Sequence, residues 1–270
     1  MTSATPHRTS ARMEPTGPAL VACDIDGTLA RTGQPISPEV CRAASAVRAT
    51  GHHIVLATGR SLAGAIPIAH ELGLDDVWIV ASNGAVTAHL VGDYYQVTEQ
   101  HTVDAEAAIR AAVRTVPGIR VATEDVGVGY RVNIPFPPGQ LNGLQHSVTQ
   151  PNELWARPTP RVALYGPSAY RLVWALQGLG LTAIATRPDW VDVTAGGISK
   201  ATALDRVRAI LGVHHTVAIG DSENDVEMLT WAADGIAMGH AAAFVIAAAD
   251  RITGTIDDDG AASALWSLLP

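Results

Sequence analysis

Two aspartates at the end of an apolar run are the residues of this chain best suited to chemistry. The run Ala19–Cys23 predicts a buried strand, and Asp24 and Asp26 follow it directly, ahead of Gly27. Residues two apart in an extended chain share one face, so both carboxylates would point the same way. Such a pair can hold a divalent metal or divide into a nucleophile and a proton donor. Taken alone, the motif also fits an acidic turn.

A hydroxyl and a lysine occupy comparable positions elsewhere. Thr58, Gly59 and Arg60 close the strand predicted over His53–Ala57, where backbone N–H groups can bind an anion. Lys200 lies in the first turn of a predicted helix, which is unfavourable for a cation unless an anion is bound there. In isolation, a turn or cap remains the alternative for Thr58, and a solvated side chain remains the alternative for Lys200.

A second acidic cluster closes the strand predicted over Thr216–Ile219. Three acids at alternate positions from Asp221 to Asp225 have the spacing of EF-hand ligands, but Val226 stands where that loop requires glycine. Asp221, followed by Asn224 and Asp225 at the start of a helix, suits instead one divalent ion with oxygen ligands, most simply Mg²⁺.

The elements that must position these residues alternate between short apolar runs and helical patterns. That rhythm predicts a parallel sheet wrapped by helices, in which ligands bind at the carboxyl ends of the strands. Each polar cluster follows a predicted strand or opens a helix, including Asn83 after the third strand. The predicted strands are Leu20–Cys23, His53–Ala57, Val77–Ala81, Thr216–Ile219 and Ile236–Met238, and the helices are Pro38–Thr50, Ser61–Leu72, Ser199–Leu211 and Ala241–Ala249.

The middle of the chain has a different pattern, in which hairpin-like strands mix with helices. We expect residues 87–187 to form a second, inserted α+β domain, and residues 19–86 and 188–270 to form the core domain. Residues 1–18, rich in Thr, Ser, Pro and Arg, are expected to be a disordered leader. Arg131, Asn133 and Arg187 are polar residues of the insert that could contact a substrate.

Composition limits the classes of function. A net charge of −8 with only 16% charged residues argues against general nucleic-acid binding, which needs a basic face. No apolar run reaches the roughly 18 residues of a membrane span. The two cysteines, Cys23 and Cys41, form no disulfide framework, so we expect reduced thiols and a cytoplasmic location. Nothing in the sequence indicates an oligomeric partner.

Taken in order, these motifs resemble those of the haloacid dehalogenase-like hydrolases, and most closely their Cof-type branch, which carries a large inserted cap. One departure is His240, where that branch usually has asparagine. The residues that carry the resemblance are Asp24–Leu29, Ala57–Arg60, Ser82–Ala85, Gly197–Leu204, Gly220–Leu229 and Ala237–Gly239.

The resemblance implies an α/β fold, with a Rossmann-like parallel sheet core and an inserted α+β cap domain. It implies that Asp24 is the nucleophile and Asp26 the general acid and base, while Thr58 and Lys200 hold the transferring phosphoryl group. It implies Mg²⁺ held by Asp24, the carbonyl of Asp26 and Asp221. The residues it implies as substrate-binding or orienting are Gly59, Arg60, Asn83, Asn224 and Asp225.

The function implied is a Mg²⁺-dependent phosphatase of small phosphorylated metabolites, foremost sugar phosphates, acting through an aspartyl-phosphate. Two alternatives stay open. A phosphomutase of the phosphomannomutase type shares such a core and would isomerise a sugar phosphate without releasing phosphate. A non-catalytic phosphate or metal sensor could also keep acidic residues, a threonine and a lysine at strand ends, although such a module would usually have lost one of the two aspartates.

Overall fold

The computed structural model describes residues 17–31 and 33–270. The expected disordered leader, residues 1–18, therefore lies outside the described residues except for its last two positions. Among the residues described, no helix is both long enough and apolar enough to cross a bilayer. Strands and helices are numbered below in chain order.

The first sheet has eight strands, which come from the N-terminal and the C-terminal parts of the described chain. Six of them run parallel, and the other two form a hairpin in which each strand is antiparallel to the strand before it. In spatial order they are β14 (Arg251–Ile252), β13 (Asp234–Ala237), β12 (His215–Gly220), β1 (Ala19–Cys23), β2 (His53–Ala57), β3 (Asp76–Ala81), β4 (Val86–Val91) and β5 (Tyr94–Gln100).

The central strand β1 is apolar throughout because both of its faces are covered. Val21 and Cys23 pack into one hydrophobic core and Leu20 and Ala22 into another, on the opposite face of the sheet. The helices of this domain are α1 (Pro38–Ala49), α2 (Leu62–Glu71), α5 (Lys200–Leu211), α6 (Val226–Trp231), α7 (Ala243–Ile246) and α8 (Gly260–Trp266).

The second sheet has six strands and a core of its own. Helices α3 (Ala105–Thr115) and α4 (Val173–Gln177) accompany it, and α3 contributes Ala108 and Ile109 to the buried cluster. In spatial order the strands are β10 (Thr182–Arg187), β11 (Trp190–Thr194), β9 (Val162–Tyr165), β6 (Arg120–Asp125), β7 (Gly129–Val132) and β8 (Leu144–Ser147). The predicted fold class, a mainly parallel α/β core with an inserted α+β cap, is confirmed.

Strand pairing differs at both ends from the expected cap of residues 87–187. Strands β4 and β5 extend the first sheet beyond β3, so the core continues to Gln100. Strand β11 pairs with β9 and β10, so the cap continues to Thr194. A hairpin strand has the same alternating pattern whichever sheet it joins. The sequence therefore could not indicate that β4 and β5 belong to the core sheet and β11 to the cap sheet.

Two predicted helices differ in extent. The helix expected over Ala241–Ala249 is a single turn, α7, because within that turn the alanine-rich sequence buries only Val245. The helix expected after Asp221 begins with a 3₁₀ turn at Glu223–Asp225 before α6 starts. The remaining predicted core elements agree with the structure to within one residue at each end, apart from β13, which begins two residues earlier than predicted.

Candidate active site

Asp24 lies at the carboxyl end of β1, and the chain turns sharply after it. The Asp24 backbone N–H still donates to the Ile219 carbonyl of β12 at 3.0 Å, so the side chain is fixed by the sheet. Ile25 is fully buried and its carbonyl accepts the N–H of Ala30 at 2.9 Å, which closes a tight loop. Gly27 occupies the left-handed region at φ +87° within that loop.

Lys200 is a fully buried lysine that joins two of these acidic residues. Its Nζ donates to Asp24 Oδ1 at 2.6 Å and to Asp225 Oδ1 at 2.7 Å. Burial alone would lower the lysine pKa, but the Asp225 and Asp24 carboxylates outweigh that effect and the pKa is raised. Lys200 is therefore a permanent positive charge beside Asp24, placed there by a helix that begins with Ser199 as its N-cap.

The acidic loop after β12 is held from within by Asp225. Its Oδ2 accepts the backbone N–H groups of Asp221 at 3.0 Å and Ser222 at 2.9 Å. Asp221 in turn accepts the hydroxyls of Thr28 at 3.0 Å and Ser222 at 2.8 Å. Asp225 is thus a support for the loop and for Lys200, and Asp221 is the carboxylate presented toward Asp24.

The site carries an excess of negative charge. Carboxylate oxygens of Asp24, Asp221 and Asp225 all lie within 4.8 Å of one another, with Lys200 as their buried cation. Burial, and then the charge of Asp225, raise the pKa of Asp24 well above its ordinary value and also raise that of Asp221. Hard oxygen donors whose negative charge exceeds that of the one nearby cation suit Mg²⁺, so the residues present fit the expected metal.

Asp26 has different surroundings from Asp24. Arg60 binds its carboxylate with two hydrogen bonds, from Nε to Oδ2 at 2.7 Å and from Nη2 to Oδ1 at 2.6 Å. The Asp26 side chain is 40% exposed, whereas that of Asp24 is 5% exposed. Thr58 is buried at the end of β2, and its hydroxyl accepts the N–H of Arg60 at 3.0 Å.

The predicted orienting residues meet where three loops converge. Asn224 Nδ2 donates to Asn83 Oδ1 at 2.9 Å, which links the acidic loop to the turn after β3. Asn83 holds a left-handed conformation, φ 55°, that directs its side chain into this junction. Gly59 faces both amides, since a Cβ there would lie 3.2 Å from Asn83 and 3.5 Å from Asn224.

His240, the departure from the family pattern, also reaches the acidic loop. Its Nε2 lies 3.9 Å from Asp221 Oδ2, and its Nδ1 accepts the N–H of Ile256 at 3.3 Å. The histidine therefore lies between the acidic loop and the segment that leads to α8.

The three cap residues chosen from the sequence bond inside the cap. Arg131 donates to the Glu153 and Arg157 carbonyls, Asn133 bonds to the backbone of β6 and its flank, and Arg187 bonds to Asp189 and Gln140. Sequence reasoning missed cap residues that do reach the core, among them Glu124, Arg161 and Asp192. The signal was available at Arg161, a charge directly before the apolar run of β9.

Comparison with known proteins agrees with this geometry. The family model of the haloacid dehalogenase-like hydrolases matches residues 21–132 and 175–265. A phosphoglycolate phosphatase of Natronomonas pharaonis is 32% identical over 249 residues, covering 92% of this chain and 96% of its own. This chain belongs to the haloacid dehalogenase-like hydrolases, and the expectation of a phosphatase within this family is confirmed.

Two solved structures share the fold over nearly their whole length. A phosphatase of the haloalkanoate superfamily from Bacteroides thetaiotaomicron is 28% identical with a TM-score of 0.77, covering 96% of this chain and 99% of its own. A sugar phosphatase of subclass IIB is 25% identical with a TM-score of 0.77, covering 93% of this chain and 100% of its own.

Proposed function

We propose that this protein is a Mg²⁺-dependent phosphatase that hydrolyses small phosphate monoesters, foremost sugar phosphates, through an aspartyl-phosphate on Asp24. The observation that carries the proposal is the setting of Asp24, a buried carboxylate bonded to Lys200 at 2.6 Å and close to Asp221. The similar fold of a subclass IIB sugar phosphatase supports the choice of substrate class.

Asp24 would attack phosphorus with a carboxylate oxygen, while the bond from phosphorus to the leaving oxygen breaks. Lys200, kept positive by its two carboxylate partners, offsets charge on the transferring phosphoryl group. Asp24, Asp221 and the carbonyl of Asp26 would hold Mg²⁺, which would supply the positive charge that lets a carboxylate approach an anionic ester.

Asp26 is the group we assign to proton transfer. It would protonate the leaving oxygen and then take a proton from the water that hydrolyses the aspartyl-phosphate. Its carboxylate must first turn away from Arg60, and its 40% exposure gives it the room and the contact with solvent to do so. The Thr58 hydroxyl accepts from Arg60, so its own proton can be directed at a phosphoryl oxygen.

The test is phosphate release from a panel of monoesters in the presence of Mg²⁺. We expect release by the wild-type protein and a loss of at least about a thousandfold in Asp24→Ala, which lacks the nucleophile. Asp75→Asn removes a carboxylate from an exposed position just before β3 and should match the wild type.

Three outcomes would contradict the proposal. Equal release by Asp24→Ala would refute the assignment of the nucleophile. Conversion of one sugar phosphate into another without net phosphate would indicate a mutase. No release from any ester, with Mg²⁺ shown to bind, would indicate a sensor.

A further inference from the structure

One buried guanidinium, that of Arg161, connects the cap to the catalytic core. Arg161 directly precedes β9 and is 4% exposed. Within the cap its Nε lies 3.2 Å from Glu124, its Nη1 lies 3.4 Å from Asp192, and its Nη2 donates to the Tyr130 hydroxyl. Its Nη1 also donates to the carbonyl of Gly59 in the core. A single side chain therefore bridges the two domains.

The acids that neutralise Arg161 make contacts of their own with the core. The Ser82 hydroxyl donates to Glu124 Oε2 at 2.6 Å, and Asn83 Nδ2 donates to Asp192 Oδ2 at 3.4 Å. We call Arg161, Glu124, Asp192 and their partners Gly59, Ser82 and Asn83 the cap–core junction. The junction touches the loop after β2 and the turn after β3, and both of these belong to the candidate active site.

From the junction, hydrogen bonds lead in two directions toward the catalytic groups. Gly59 lies between Thr58 and Arg60, and Arg60 holds the Asp26 carboxylate. Asn83 accepts a hydrogen bond from Asn224, in the loop that carries Asp221. A movement of Arg161 relative to the core would therefore change the contacts of both the Thr58–Arg60 loop and the acidic loop.

The cap–core junction can open at little electrostatic cost, because its charged groups all lie on the cap. Glu124 and Asp192 are on the cap with Arg161, so moving the cap away leaves the guanidinium with both of its counter-ions. The charged cap groups would lose only neutral core partners, which are a carbonyl, a hydroxyl and an amide, and water can replace these. A buried ion pair split between the two domains would instead leave unpaired charges on opening.

We propose that Arg161 is a positioning residue that orders the Thr58–Arg60 loop and the Ser82–Asn83 turn when the cap closes on the core. The proposal rests on the phosphatase function proposed above. In the open state the Gly59 carbonyl, the Ser82 hydroxyl and the Asn83 amide lose their cap partners, while the backbone hydrogen bonds between the two loops remain. The catalytic groups then take their working arrangement only under a closed cap. Arg161 then contributes to hydrolysis whatever the leaving group is.

The experiment compares Arg161→Met, Arg161→Lys and the control Arg157→Met on two substrates. Arg157 is an exposed cap arginine whose ionic partner, Asp125, is also in the cap. A hexose phosphate offers the cap a large leaving group, whereas acetyl phosphate offers only acetate, which is too small to contact much of the cap. We expect Arg161→Met to lower kcat at least about tenfold on both substrates, with a smaller change in KM. Arg157→Met should match the wild type.

Arg161→Lys tests the geometry, because lysine keeps the charge but cannot reach several partners at once. We expect its kcat to lie between those of Arg161→Met and the wild type. Loss confined to the hexose phosphate would overturn the proposal and make Arg161 a leaving-group contact. Unchanged kcat in Arg161→Met would overturn it as well.

Hydrogen exchange supplies a readout that does not depend on activity. In Arg161→Met, but not in Arg157→Met, we expect faster exchange at the amides of Thr58–Arg60 and Ser82–Ala85, with the central strands as protected as in the wild type. Unchanged exchange in these segments would refute the ordering role even if the wild type hydrolysed no ester. Failure of the proposed function, by contrast, would appear as an inactive wild type. Thermal unfolding of each variant identifies any that fails to fold.

Discussion

Asp24 and Asp26 are two positions apart, yet their surroundings fit them for different tasks. Asp24 is buried against Lys200 at the sheet edge, and Asp26 is half exposed and held by Arg60. Ile25 separates them by entering the core, which forces the chain to turn at once. That turn depends on Gly27, because a Cβ there would lie 2.7 Å from the Asp221 carboxylate carbon.

Gly27→Ala therefore tests whether the turn sets the metal site. The added methyl group would displace the Asp221 carboxylate from its place in the acidic cluster. We expect the Mg²⁺ concentration for half-maximal activity to rise at least about tenfold, about 1.4 kcal/mol. Gly51→Ala is the control, because Gly51 has nearly the same φ, +88°, with no atom near its Cβ position. Both variants should lose stability because of their positive φ, and only Gly27→Ala should change the Mg²⁺ titration.

Most of the core elements could be predicted from sequence because their signals are local. The strand ends, the turn glycines and the Ser199 cap each act over a few residues, and the chemistry collects at strand ends for topological reasons. The assignment of β4 and β5 to the core could not be predicted, since pairing is decided by distant partners. Arg161 was missed for the same reason: its four partners lie between 31 and 102 residues away in sequence.

The element that positions Lys200 is the amino end of α5, which packs against the turn after β3. A Cβ at Gly84 would lie 2.6 Å from the Ser199 carbonyl carbon, so only glycine allows this approach. The helix start, the lysine and the turn that carries Asn83 are therefore fixed relative to one another by one backbone contact.

Gly84→Ala should displace the start of α5 and with it the Lys200 ammonium. We expect kcat to fall at least about tenfold, because charge stabilisation in the transition state depends on placement. Gly73→Ala, with φ +70° and no atom near the Cβ position, should lose stability without losing kcat. Equal kcat in both variants would show that the contact of Gly84 with Ser199 does not govern the lysine.

At the scale of the whole molecule, repulsion among the buried carboxylates of the acidic site lowers the stability of the fold, and a bound cation relieves it. Asp24 and Asp221 are disfavoured as charged groups by burial and by Asp225, so binding of Mg²⁺ should stabilise the folded chain. At one hundred times its Kd a single ion contributes about 2.7 kcal/mol.

Removal of Mg²⁺ with a chelator should therefore lower Tm by several degrees. In Asp221→Asn, we expect a higher Tm than the wild type without metal, because one repelling charge is gone, and little further rise with Mg²⁺. Glu223→Gln removes an exposed charge from the same loop and should keep the wild-type response. Calorimetry with and without Mg²⁺ measures both effects, and a full Mg²⁺ shift in Asp221→Asn would exclude Asp221 as a ligand.

The cap is joined to the core by two short stretches of chain, residues 101–104 between β5 and α3 and residues 195–199 between β11 and α5. Two tethers of four and five residues leave a rigid body few ways to move, and rotation about the line through both tethers is the easiest. The opening of the cap can then be described by a single hinge angle. One pair of spectroscopic labels across the opening would be enough to follow it.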